Sequence, residues 1–167
     1  MKRTLVLLFC LGLCGCAVNN ETLIAQENTI QEYLNNPDED ALIVVTSQSG
    51  LNIPIECQVG VNSLNNPSGN TGNHQTGTPF VMRIPTGESM KKNVSLYNSV
   101  KPDEKQAFIL QITPYIPIIN VSCQSMEGGL NGKIYFDGKI VTSYESPSNV
   151  GMVAMMYKLP LEELVSK

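Results

Sequence analysis

The side chains that could do chemistry here are few. There are five cysteines (Cys10, Cys14, Cys16, Cys57, Cys123), one histidine, one acidic run and one group of methionines. His74 lies within residues 62–79, a stretch built almost entirely of Asn, Gly, Ser, Thr and Pro. A general base needs a fixed neighbour to orient it, and such a stretch supplies none, so His74 is expected to be a solvated loop residue. Asp38, Glu39 and Asp40 follow Pro37. Carboxylate runs can ligate calcium, but no glycine lies among or just after these three to shape a ligand loop, and a solvated linker is expected. Met152, Met155 and Met156 carry thioethers that suit copper(I). They sit in a strongly apolar run, where methionine is a routine core filler. No phosphate-cradling glycine loop and no nucleic-acid motif is found.

The amino terminus is more specific. Lys2 and Arg3 precede the apolar run Leu5 to Leu13. That run is far short of the roughly 20 residues a membrane-spanning helix needs, and with its charged front it fits the core of an export signal. It closes on Leu13-Cys14-Gly15-Cys16: an aliphatic residue, two small residues and a cysteine. This resembles the lipobox of bacterial lipoproteins. The resemblance covers residues 1–16 and implies that residues 1–15 are removed, and that Cys16 takes a thioether-linked diacylglycerol and an acyl group on its new amino terminus. Several acyl chains make a stable anchor where one is marginal. Ala17, rather than Asp, points by the same resemblance to the outer membrane rather than the inner. The alternative is an ordinary signal cut elsewhere, leaving Cys16 a free thiol.

Loss of residues 1–15 leaves 152 residues, one typical domain with enough length to bury a core. Lys2 and Arg3 leave too, so nine basic residues face fifteen acidic ones, a net charge of −6. No basic patch is visible in the sequence, which argues against nucleic acid and against docking on anionic lipid. With Cys10 and Cys14 discarded and Cys16 acylated, Cys57 and Cys123 remain as an even pair in an exported chain. A disulfide is the expected use. Closing a loop of that length would stabilise the fold by about 4 kcal/mol in the chain-entropy view. Two buried free thiols are the alternative. A metal site is not expected, since two separated cysteines and one histidine do not complete a four-ligand set.

Residues 20–35 read as a short helix with Leu23, Ile30 and Leu34 on one stripe. From Ala41 the pattern turns to strands. Leu42 to Thr46 is β-branched and apolar, and Ile53, Ile55, Cys57, Val59 and Val61 alternate with other residues. Residues 62–79 are expected as a long mobile loop. Phe80 to Ile84, Val94 to Val100 and Phe108 to Ile112 read as further strands. Ile119, Val121 and Cys123 alternate, so Cys123 faces inward as Cys57 does, as a bridge across two sheets would require. Asp137-Gly138 between Lys133–Phe136 and Lys139–Thr142 signals a hairpin. Val150 to Tyr157, apolar on both faces, reads as a central strand. These elements point to an all-β two-sheet sandwich preceded by a short amino-terminal helix, and the spacing of Cys57 and Cys123 resembles that of an immunoglobulin-like domain. The divisions are 1–15 signal, 16–40 anchor, helix and linker, 41–160 sandwich, and 161–167 a short tail.

The functional expectation is a membrane-anchored envelope lipoprotein acting as a non-enzymatic binding or assembly module, without cofactor or metal. Its partners would be the membrane, through the lipid, and another envelope protein. The alternative is an enzyme whose site lies unrecognised in the sandwich. Two surfaces could meet a partner: the loop 62–79, and the stretch Pro114 to Ile118. The second is favoured, because prolines 114 and 117 deny Tyr115, Ile116 and Ile118 full pairing in a sheet. An apolar edge of that kind is either covered by the amino-terminal helix or offered to another chain.

Overall fold

The structure, a computed structural model, describes residues 20–37 and 40–160. The expected signal 1–15, the expected lipidation site Cys16, the pair Asp38 and Glu39, and residues 161–167 lie outside the described residues. Helix α1 spans Asn20–Asn35. Then come β1 (Ala41–Ser47), β2 (Pro54–Ser63), β3 (Asn66–Gly77) and β4 (Phe80–Ile84). Two helices follow, α2 (Gly87–Ser99) and α3 (Lys105–Ile112), with a 3-10 turn at Thr113–Tyr115. The chain ends in β5 (Ile118–Ser125), β6 (Leu130–Phe136), β7 (Lys139–Glu145) and β8 (Gly151–Lys158). The strands form two four-stranded sheets, ordered β4-β1-β6-β7 and β3-β2-β5-β8, with every neighbouring pair antiparallel. The fold is an all-β two-sheet sandwich behind a short helix.

Alternation places the core. From the first sheet, Ala41, Ile43, Val45, Phe80, Ile84, Ile134 and Phe136 point inward. They meet Ile55, Cys57, Val59, Ile119, Val121, Cys123, Val153 and Met155 from the second. β1 is buried on both faces, which is why its sequence is a continuous apolar run rather than an alternating one. Its outer residues Leu42 and Val44 are covered by α1 through the buried Tyr33, with Ile30, Val81 and Tyr135 around them. Tyr33 is thus the helix's anchor in place of Leu34, which stays partly open. Its hydroxyl donates to the Asp40 carbonyl at 2.8 Å, and the Arg83 guanidinium lies 6.0 Å from its ring. The β6–β7 hairpin turns at Asp137 (φ 51°) and Gly138 (φ 71°), the two positive-φ positions that Asp-Gly tolerates.

Four expectations are corrected. Residues 66–77 are a strand: β3 pairs with β2 from Pro54↔Gly77 to Val61↔Asn70. A ladder is made by backbone groups, so a polar, Gly-rich segment can complete an edge without burying side chains. The stretch read as a strand at Val94 to Val100 is mostly helix α2, with Val94 against the core and Tyr97 against Phe108 (ring centroids 6.3 Å). Phe108 to Ile112 belongs to α3 rather than to a buried strand, and no residue of α3 is buried. A short apolar run does not by itself distinguish strand from helix. β8 is an edge strand bonded only to β5, and its period-two burial leaves Met152 and Met156 exposed while Met155 fills the core.

The two sheets are related by a hidden repeat. Advancing every strand of β4-β1-β6-β7 by four places in chain order gives β8-β5-β2-β3, which is the second sheet read backwards. Registers follow the same rule: Ile43 opposite Ile134 in one sheet stands where Cys123 stands opposite Cys57 in the other. So do the corners. Ile53 N–H donates to the buried Thr78 hydroxyl (3.0 Å) while Thr78 N–H donates to Ile53 O (2.9 Å). Leu130 N–H donates to the buried Ser146 hydroxyl (2.7 Å) while Ser146 N–H donates to Leu130 O (2.9 Å).

The helix anchor can be tested by denaturant unfolding. Tyr33→Ala should cost about 3–5 kcal/mol, the usual range for deleting a buried aromatic ring. Tyr33→Phe should cost only about 1 kcal/mol, the net worth of one hydrogen bond. Equal losses for the two would show that the ring contributes no packing.

Candidate functional site

Cys57 and Cys123 are bonded. They sit directly opposite each other on β2 and β5, with Cα atoms 4.1 Å apart. The bridge therefore lies within one sheet, where two sheets had been expected to be joined. The inward phase of both residues was legible, but phase alone does not say which sheet a strand enters. An antibody-type domain, by contrast, carries its disulfide between sheets. Both sulfurs are buried, so the bond serves as a clamp on the central pair of the second sheet.

His74 is not in a loop. It lies on β3 opposite Cys57, half-buried, with its ring 5.6 Å from Phe80. Its Nε2 is buried without a hydrogen-bond partner. Among the described residues no carboxylate or hydroxyl bonds to it, and the ring packs beside Phe80. Asp40, the described member of the acidic run, pairs with Arg83 at 3.1 Å. Among the described residues no group of three or more His, Cys, Asp or Glu is placed to hold a metal ion.

The favoured partner stretch is divided by the fold. Tyr115 ends the 3-10 turn with its ring 61% exposed. Ile116 is 4% exposed and belongs to the core. Ile118 opens β5, paired with Asn62 on one side and Lys158 on the other, so it is interior to a sheet rather than at an edge. Pro114 and Pro117 bend the chain into the sheet instead of leaving it unpaired; Leu159 N–H donates to Pro117 O and Asn65 N–H to Pro114 O. The helix α1 covers β1 and β4, not this stretch. Around Tyr115 lie features hidden in sequence. Asn65 ties the exposed Leu64 to the turn, and α3 presents the exposed Leu110.

A second surface is the outer face of the β3-β2-β5-β8 sheet. It holds an open groove of about 420 Å³ lined by Gln58, Asn62, Thr71, Asn120, Ser122 and Met156, among others. Its amides and hydroxyls can donate and accept, while no carboxylate, imidazole or thiol lines it. That chemistry suits neutral hydrogen bonding and offers no proton-transfer pair. No protein-family model, curated protein or solved structure matches this chain.

The disulfide reading predicts that denatured, unreduced mature protein yields no alkylatable thiol from this pair. Replacing both cysteines by alanine should lower stability by about 2–5 kcal/mol. Two reactive thiols on denaturation without reductant would contradict the bond.

Proposed function

We propose that this protein is a lipid-anchored envelope lipoprotein whose sandwich domain binds or assembles with another envelope protein without catalysing a reaction. The observation that carries the reading is Leu13-Cys14-Gly15-Cys16 behind a charged, short apolar run. It is supported by the disulfide, which belongs to an oxidising compartment. It is supported too by a groove whose lining is amide, hydroxyl and thioether rather than acid and base.

For the partner surface we take the end of the domain around Tyr115. Of the three residues first singled out, Tyr115 has its side chain well in the open; the exposed Leu110 lies on the helix before it, and the exposed Leu64 adjoins Asn65, whose amide donates to Pro114 O. Exposed aromatic rings on a rigid scaffold are efficient anchors, because little rotamer freedom is lost on contact.

Metabolic labelling with a palmitate analogue should mark the wild-type protein and fail on Cys16→Ser; a label that persists on that variant refutes the anchor. A photo-crosslinking residue placed at Tyr115 should give a discrete adduct in intact cells, and one at Asn73 on the outer sheet face should not. The reverse pattern would move the partner to the sheet face.

A further inference from the structure

Four connections gather at the end of the sandwich opposite the β2–β3 and β6–β7 hairpins. They are residues 48–53, 78–79, 126–129 and 146–150. They are bonded to one another. Gln48 N–H donates to Gly129 O at 2.9 Å and the Gln48 side-chain amide to Ser146 O. The Asn52 amide donates to Thr78 O, and the Ser125 hydroxyl to Pro54 O at 2.8 Å. On these braced loops Leu51 is 68% exposed, Met126 fully exposed and Val150 45% exposed. The four connections contain no lysine or arginine, and Glu127 is their one charged residue. Single exposed apolar residues are ordinary; three at the tips of one end are an apolar footprint.

The amino terminus is joined to the sandwich by α1. α1 finishes beside the start of β1, with Tyr33 bonded to Asp40 and close to Arg83. One turn earlier, Ile30 packs against the same outer-face cluster of Tyr33, Leu42 and Val44. From Tyr33 to Asn20 the helix covers about 20 Å at 1.5 Å per residue, close to the length of β1. Only residues 17–19 separate Asn20 from Cys16, a span of at most about 14 Å even when fully extended.

We propose that Leu51, Met126 and Val150 form a second membrane contact, seated in the headgroup region of the bilayer that holds the lipid of Cys16. This inference rests on the lipid-anchored reading. The lipid supplies a high local concentration of bilayer, so the loop contact orients the domain without having to bind a membrane alone. With no cation at the tips, the contact does not require anionic lipid.

The test uses the processed protein, isolated with its lipid and without residues 1–15, reconstituted in phosphatidylcholine vesicles. With Cys16 acylated and Cys57 bonded to Cys123, a new cysteine is the single reactive thiol. Met126→Cys and Tyr115→Cys are labelled with an environment-sensitive fluorophore, and quenchers are carried on the lipid acyl chains. The label at 126 should be quenched about twofold or more relative to that at 115, as expected for a group at the acyl boundary. Leu51→Ser with Val150→Ser should reduce that quenching. Equal quenching, or stronger quenching at 115, in protein whose mass shows an acylated Cys16 overturns this inference alone. An unmodified Cys16 overturns the anchor and the inference together.

Discussion

Among the described residues, ladder hydrogen bonding between the two halves of this chain runs through two strand pairs, β1 with β6 and β2 with β5. Everything else in the sandwich is arranged around that constraint. β1 and β2 are consecutive but enter different sheets, and so are β5 and β6, so the halves clasp each other at two places instead of lying side by side. Such long-range pairing is slow to form and costly in chain entropy, because distant segments must meet before any ladder repays the closure. The two junctions are secured differently. In one sheet Ile43 faces Ile134 within an apolar layer; in the other Cys57 is bonded to Cys123. A covalent bond placed at a central junction removes entropy from the unfolded chain at the point where folding would otherwise lose most.

Where the chain changes sheets, backbone amides leave the ladder and are buried. The amides of Ile53 and Leu130 meet this problem in the same way, by donating to a hydroxyl that stands just before a proline, Thr78-Pro79 or Ser146-Pro147. An unmet buried amide would cost about 1–3 kcal/mol, so a short hydroxyl side chain here does as much for the corner as an apolar residue does for the core. The repeat is broken on the outside. One outer face carries Leu42 and Val44 and is roofed by α1; the equivalent positions of the other are Ser122 and Gln124, which stand on an uncovered face. A symmetric core therefore supports two unlike surfaces, one used up in folding and one left polar.

What could be read from the sequence tracks what burial and turn chemistry impose. The alternation of Ile53 to Val61, the apolar run of β1 and Asp137-Gly138 are consequences of a half-buried strand, a doubly buried strand and a positive-φ turn, and each lay open in the residues. The inward phase of Cys57 and Cys123 was legible for the same reason, while their shared sheet was not, since a period of two carries no information about neighbours. β3 was missed because its pairing is a backbone matter and its side chains are those of a loop. α3 was missed because Phe108 to Leu110 with Ile112 is a short apolar run that fits a strand as well as a helix, and α2 because Val94 and Leu96 mimic alternation. The repeat itself is invisible in sequence: it preserves burial parity and register, so an isoleucine pair can stand for a cystine and a threonine for a serine. Of the partner residues, Tyr115 was found for a reason that did not hold, since prolines 114 and 117 steer the chain into a sheet.

The ends of the domain differ in charge as well as in shape. Lys91, Lys92, Lys101 and Lys105 lie on the connection from β4 to β5, Lys139 opens β7 and Lys158 closes β8, so six of the nine basic residues beyond residue 15 collect at the hairpin end. Lys105 lies 4.4 Å over the Tyr97 ring, a contact that holds part of this charge against the helices. The opposite end has none of it. Asp40, Glu88, Asp103, Glu104 and Asp137 lie at the hairpin end too, so these cations are balanced locally rather than set against a distant negative pole. The connections at the other end carry one charge, Glu127, and so can approach an apolar phase at a lower desolvation cost than the charge-rich hairpin end.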